Sequence, residues 1–395
     1  ITWSANKFTL NAERNIYINT SLSGLGTAKL ALEYGQATAN GAGSDYVLNN
    51  GAKVNLPAGE NFSTKQGSAG AVTNFYVITS LGVAGDTSTT TLQGMKNNLS
   101  GNYALGMDIN ASATASWNSG AGWEPVGNGS AAFSGAFHGL GNTISTLSIS
   151  RPQSDNVGFF GASGGILRDI GIGEASVSGS NNVGALVGFS SGGQIAGSYS
   201  SGSINGSDRV GGLIGNIYQY GTVAVTDSYS TASVTGRYHV GGLVGSADAF
   251  SSGSGSVTGS YSTGNVSGIS SVGGLIGHIG DNLTVVNSYS TGSVSSTAGN
   301  VGGLIGYSFG GQVVNSYSTG SVSGSGGGLI GYNYDTYYGS IVSGSYWNTE
   351  TSHQASGIGD GYIVGRKANL VGLTTAQMQQ QSSYVGWDFV NIWSI

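Results

Sequence analysis

The chain has no cysteine, three prolines, and only 12 basic and 18 acidic residues among 395. The missing cysteine excludes disulfide scaffolds, thiol nucleophiles and Cys-ligated metals. It fits a protein exported unfolded, where early disulfides would jam passage, and equally many cytosolic proteins. Charged residues make up 8%, against about 25% in ordinary soluble domains. The few lysines and arginines form no cluster of the kind that counterion-release binding needs, so no nucleic-acid partner is expected. No apolar run reaches the roughly 18 to 20 residues of a membrane span, which argues against direct membrane insertion. His138, His239, His278 and His353 show no metal-ligand spacing. No motif calls for a cofactor or metal. No signal peptide opens the chain; ITWSANKFTLNA has the character of an internal stretch, and a piece of a longer protein is expected.

What the chain does have is glycine, 73 of 395 residues, about 18% against a usual share of about 7%. The glycine is organised. VGGLIG at 210 to 215 returns as VGGLVG at 240, VGGLIG at 272 and 301, and GGGLIG at 326, with looser copies VGALVG at 183 and VGFFG at 157. Interleaved with it runs a second motif: GSYSSGSI at 197, DSYSTASV at 227, GSYSTGNV at 259, NSYSTGSV at 287 and 315, and a variant GSYWNTET at 344. Its tyrosines, Tyr199, Tyr229, Tyr261, Tyr289, Tyr317 and Tyr346, are 30, 32, 28, 28 and 29 residues apart. A period in this range marks a solenoid.

No segment escapes Gly or Ser long enough for a helical repeat. Each period instead holds short β-branched pieces broken by glycine. Three short strands per coil, each stacked on its counterpart about 4.8 Å away, make an all-β parallel β-helix; a propeller would need four longer strands per blade. Within such an array the glycines are expected to permit corners with φ > 0 and close backbone approach. The adjacent Leu and Ile of each hexamer cannot both be placed inside, because neighbours on a regular strand face opposite ways.

Four regions follow: coils with loop insertions over 1–95, transition coils over 96–156, the repeat array over 157–345, and a C-terminal cap over 346–395. LQGMKNNL (92 to 99) offers a first helical turn. In the cap, Thr374 and Gln377 have capping-box spacing, so a short helix starts there. Trp387, Phe389 and Trp393 in GWDFVNIW would help cover the open solenoid end.

Positions that vary between repeats are candidates for binding. After the hexamers come Phe189, then Tyr218 and Tyr220, Asp248 and Phe250, His278, Tyr307 and Phe309, and finally Tyr332, Tyr334, Tyr337 and Tyr338. On one corner of successive coils these would form an aromatic stripe able to stack on sugar rings, or a set of side chains folded over their own loops or making a filament contact. Tyr199, Tyr229, Tyr261, Tyr289 and Tyr317 recur so regularly that a packing ladder is expected of them. Thr231, Thr263, Thr291 and Thr319 form a single row, whereas ice-binding faces use two on a flat regular surface. β-Helical polysaccharide enzymes need paired carboxylates or Asp with Arg or Lys in a groove. Here Asp208-Arg209 and His239, at equivalent positions in adjacent coils, are the nearest approach, and no enzyme is expected.

The hexamers resemble the GLUG repeat of large bacterial surface proteins. LSGNYALGMDINAS, AFSGAFHGLGNTI and GLTTAQMQQQSSYVGWDF are similar to segments flanking GLUG arrays in two-partner-secreted exoproteins. WSANKFTLNAERNIYINTSLSGLGTAKLALEYG resembles coils of filamentous-haemagglutinin-like, high-molecular-weight adhesins. The resemblance implies a right-handed β-helical filament on the outer surface of a Gram-negative bacterium. It would be exported through an outer-membrane partner pore and serve adhesion, virulence or biofilm cohesion by engaging host-cell or bacterial surface glycans or receptors. His138 and Asn142 in FHGLGN depart from the acidic residue and histidine expected there. Eight Asn-X-Ser/Thr sequons, among them Asn61, Asn98, Asn205 and Asn265, are compatible with the glycosylation found in related adhesins. Two readings stay open: a stalk that gives length and stiffness, and a carbohydrate-binding module.

Overall fold

The computed structural model describes residues 1–219, 222–249, 253–334, 340–361 and 366–394. It is a parallel β-solenoid of about 12 turns with few helices. The coil that begins at residue 208 shows the plan. Asp208–Gly211 lies in one sheet, Ile214–Gln219 in a second, and Thr222–Thr226, Tyr229–Ser230 and Ser233–Thr235 in a third. The third sheet is bent rather than divided, since Tyr199–Asn205 in the preceding coil runs unbroken and pairs with both of the short strands that follow residue 228.

Register is exact to the residue and converts sequence repetition into apolar ladders. Val210 pairs with Val240, Val240 with Val272, and Val272 with Val301. Ile214, Val244, Ile276, Ile305, Ile330 and Ile358 form a second row. Val225, Val257, Val285, Val313 and Val342 form a third. All are buried, and each such side chain withdrawn from water contributes about 1.5–3 kcal/mol. Internal serines make a polar row beside them. The backbone N–H of Ser198 donates to Ser228 Oγ at 3.2 Å, and the same bond recurs from Ser228 to Ser260, Ser260 to Ser288, Ser288 to Ser316 and Ser316 to Ser345. Each of these hydroxyls turns back to a nearby carbonyl, as Ser228 does to Thr226 O at 2.8 Å, so the hydroxyls of this row are satisfied.

The hexamer itself is a corner. Its strand ends at Gly211 and the next begins at Ile214, with a bend at Gly212-Leu213. That bend breaks the alternation rule, so Val210, Leu213 and Ile214 all point inward with no exposure. The Leu243 carbonyl accepts from both Leu213 N and Ile214 N at 3.0 Å, and the carbonyls of Leu275, Leu304 and Leu329 repeat this in later coils. The hexamer glycines do not supply φ > 0. That conformation falls on the residue just before four of the five hexamers, Arg209, His239, Ser271 and Asn300, with φ of 52 to 55°. Glycine is required for space: a Cβ on Gly211 would overlap the Ile214 carbonyl, on Gly212 the Gly242 carbonyl, and on Gly215 the backbone N of Val183.

The first 80 residues stack differently. Lys7–Asn11, Lys29–Tyr34 and Gly59–Gln66 are parallel, but Gly59–Gln66 pairs antiparallel with Val72–Ile78, which then starts the main parallel stack through Tyr103–Leu105 and Ala136–His138. One antiparallel joint thus separates two stacks. LQGMKNNL contains a 3-10 helix, Gln93–Asn97, and a second 3-10 stretch lies at Ser112–Gly120. At the other end the stack continues through Arg366–Leu373, which pairs along Ile341–Asn348. Thr374 then caps the helix Thr375–Met378 with the full reciprocal box. Another short helix, Thr349–Ser352, is capped by Asn348.

Candidate functional site

The corner after the hexamers separates into two rows. Ser246, His278, Tyr307, Tyr332 and Asp360 are in register in one. The other pairs Tyr218 with Asp248, and Phe309 with Tyr334. Tyr307 stacks on Tyr332 at 5.3 Å and Phe309 on Tyr334 at 5.4 Å, nearly parallel. These four are brought together, and Tyr218 lies further along the same row, in register with Asp248. Ile217, beside Tyr218, faces the core. Tyr220, Phe250, Tyr337 and Tyr338 lie outside the described residues. Stacking has a chemical consequence: the faces a sugar ring would use are partly occupied by the neighbouring ring.

Between Tyr218 and Tyr307 lies a titratable cluster. His278 Nδ1 is 3.4 Å from Asp248 Oδ1 and 3.3 Å from Ser246 Oγ, and the His239 ring centroid is 5.0 Å from that of His278. Burial, with His278 and Arg209 nearby, lowers His239 to about 4. Burial alone would raise Asp248, but the hydrogen bond and charge of His278 outweigh it and hold the carboxyl below its ordinary range. Ser, His and Asp suggest a nucleophile, yet serine and carboxylate meet the same imidazole nitrogen. A triad needs them on opposite nitrogens. No group of three or more His, Asp or Glu among the described residues is placed to hold a metal ion.

The other polar cluster is buried where the first stack meets the second. Arg168 donates to Asp45 at 2.7 and 3.0 Å, to Asp169 at 2.9 Å and to the Tyr46 carbonyl at 2.8 Å, and its guanidinium lies 4.0 Å from the Tyr46 ring. His138 Nδ1 is 2.9 Å from Tyr46 Oη, and its ring packs 4.4 Å from Phe75. Burial, helped by the Arg168 charge, keeps this histidine far below its usual value and therefore neutral. Asn142 donates to Val54 O and Leu105 O, both at 3.0 Å. The two residues that depart from the expected pattern are thus ties between stacks. With its donors committed, Arg168 has little left for a uronate or phosphate.

Outside the third sheet the repeat tyrosines form one column. Tyr199, Tyr229, Tyr261, Tyr289 and Tyr317 stack at 5.1, 4.8, 4.8 and 4.9 Å with interplanar angles of 0 to 7°. The chain's last residues fold back over this column: Trp393 lies 6.3 Å from Tyr289 and 5.7 Å from Tyr317, and Trp387 lies 6.0 Å from Tyr317. Two clefts result, of about 340 and 480 Å³, with Tyr317, Trp393 and Ser394 lining both. Sequence reasoning assigned these tryptophans to covering the solenoid end. The available signal was their density, since Trp387 and Trp393 are two of the six in the chain.

The molecule is thus a β-solenoid repeat protein that carries columns of stacked aromatic side chains along its coils. The GLUG motif matches residues 236–267 and 297–323. Over 97 residues, 23% of this chain, the sequence is 46% identical to Halomucin of Haloquadratum walsbyi, but this chain spans only 1% of that relative. A crystal structure of a candidate immunoglobulin A1 protease from Bacteroides ovatus superposes with a TM-score of 0.51 at 18% identity, covering 80% of this chain and 88% of that one. That likeness shows the fold alone.

Proposed function

We propose that the chain is a segment of a secreted or surface-exposed repeat protein that mediates attachment, with the β-helix serving as a stiff spacer. One observation carries the reading: unbroken strand register links coil to coil from Phe160 to Asp360. About 12 turns at roughly 4.8 Å per turn give a rod on the order of 55 Å long. The GLUG motifs and the Halomucin similarity support a surface or secreted setting. Display on a Gram-negative outer surface, passage through a partner pore and biofilm cohesion are the finer parts of the proposal, supported by the adhesin resemblance and the cysteine-free sequence.

The test is to anchor the chain on the surface of a non-adherent bacterium and measure self-aggregation and attachment to cultured epithelial cells. A gain in either over an anchor-only control is the expected result. No gain in both would sink the attachment reading.

A further inference from the structure

We infer that the two clefts on either side of Trp393 form a binding site for a neutral oligosaccharide. The inference stands independently of the attachment role, and it places recognition away from the corner that carries Tyr307 and Tyr332.

Three observations carry it. The smaller cleft has aromatic walls, from Tyr317, Tyr384, Trp387, Phe389 and Trp393. These rings are held by specific bonds: Trp387 Nε1 donates to Gly344 O at 2.7 Å and Tyr384 Oη to Met378 O at 2.8 Å, and Trp387 stacks 4.2 Å from Trp393. Burial pushes the Tyr384 phenol up to about 12. Preorganised aromatic surface of this kind loses little entropy on binding and suits the C–H faces of pyranose rings.

Polar groups at the rim remain free. Neither the Gln379 amide nor the Trp393 indole N–H makes a hydrogen bond among the described residues, and both line the smaller cleft. Gln379 offers donor and acceptor together, the pairing that neighbouring sugar hydroxyls require.

The lining also excludes alternatives. No residue around the smaller cleft is charged, and the larger one adds a single carboxylate, Asp227. A sialylated, sulfated or uronic chain would find no cation here and would meet Asp227. Because Trp393 and Tyr317 border both spaces, a ligand of several units passes from one side of the indole to the other. A neutral hexasaccharide fits this description better than a monosaccharide does.

The experiment titrates the purified chain with neutral hexasaccharides of glucose (β1,4 and α1,4), mannose, galactose and N-acetylglucosamine, and in parallel with sialyllactose and hexagalacturonate. Tryptophan emission and calorimetry are the readouts. At least one neutral hexamer should saturate the protein at millimolar concentration or below. Trp393→Ala should weaken it tenfold or more, Gln379→Ala about threefold, and Tyr334→Ala not at all. Gln379 is exposed and makes no structural bond, so its variant keeps the test decisive should Trp393→Ala loosen the tail. Absence of binding by every neutral hexamer, a preference for the anionic sugars, or parent-like affinity in both cleft variants would each overturn the inference. So would an apolar fluorescent dye that binds in the cleft and that no sugar displaces.

Discussion

The stack before residue 80 and the repeat array solve one problem, closing a core with short strands, by different chemistry. In the array, like stands on like: valine on valine, serine on serine, tyrosine on tyrosine. The core of the first stack is a mixed knot in which Tyr46, Phe62 and Phe75 meet one another and His138 of the second stack at tilted or edge-on angles. Charge is divided in the same way. Among the described residues two ion pairs, Lys53 with Asp108 and Arg168 with Asp45, tie the first stack to the second, Lys96 with Glu124 and Arg168 with Asp169 lie just beyond it, and after residue 169 there is one histidine–carboxylate contact, His278 with Asp248. Repetition lets a glycine-rich sequence become rigid with almost no charge, because every coil presents its neighbour with a template. Where repetition is missing, specific polar ties are needed.

The sharpest way to break this comparison is at glycine. A methyl on Gly242 would overlap the Ser262 hydroxyl and the Gly274 carbonyl, atoms fixed by the next coil. Gly242→Ala should therefore destabilise the array by about 3 kcal/mol or more in urea unfolding, at the upper end for overpacking. At Gly51, with φ of +68° and nothing within 4 Å of an added methyl, alanine should cost about 1 kcal/mol, the backbone penalty alone. Equal losses at both sites would deny that space, not conformation, dictates the hexamer.

Next comes the joint. Arg168→Met leaves the carboxylates of Asp45 and Asp169 without their cation, and breaking one partner of a buried pair costs about 3 kcal/mol. Hydrogen exchange should speed up over 45–56 and stay slow over 253–330. Uniform loosening along the chain would make the two stacks one cooperative unit.

A further effect, smaller than those at Gly242 and Arg168, is acidic. His239 is lowered to about 4 from an ordinary 6.5, so the folded form binds its proton less readily than the unfolded form. Its contribution is complete above about pH 6.5 and is lost as pH falls toward 4, by roughly 2 kcal/mol once partial solvent access is allowed for. His239→Gln should flatten that slope in thermal scans between pH 6.5 and 4. An unchanged slope would assign acid sensitivity to His138, which is deeper and shifted in the same direction.

The solenoid was legible because its signal is a period, and periods need no knowledge of contacts. The helix at Thr374 was legible because its cap is local, spanning Thr374 to Gln377. The hexamer's inward-facing Leu213 and Ile214 were not, since strand parity fails where a bend at Gly212-Leu213 interrupts the strand. Nor was the antiparallel pairing of Phe62 with Phe75, because alternation within each strand is the same for either direction. The clefts beside Trp393 depend on contacts between residues some 75 to 105 positions apart, such as Trp393 with Tyr317 and Tyr289; nothing local in GWDFVNIW announces them.

The hydrogen bonds that join each coil to the next point along the axis of the rod. Tension along the axis loads those interfaces in series, and a coil held on one side only peels before one held on both. A freed coil of about 30 residues lengthens the tether by roughly 100 Å at full extension. On the proposed spacer role, such a rod under shear would yield one coil at a time and dissipate load over distance.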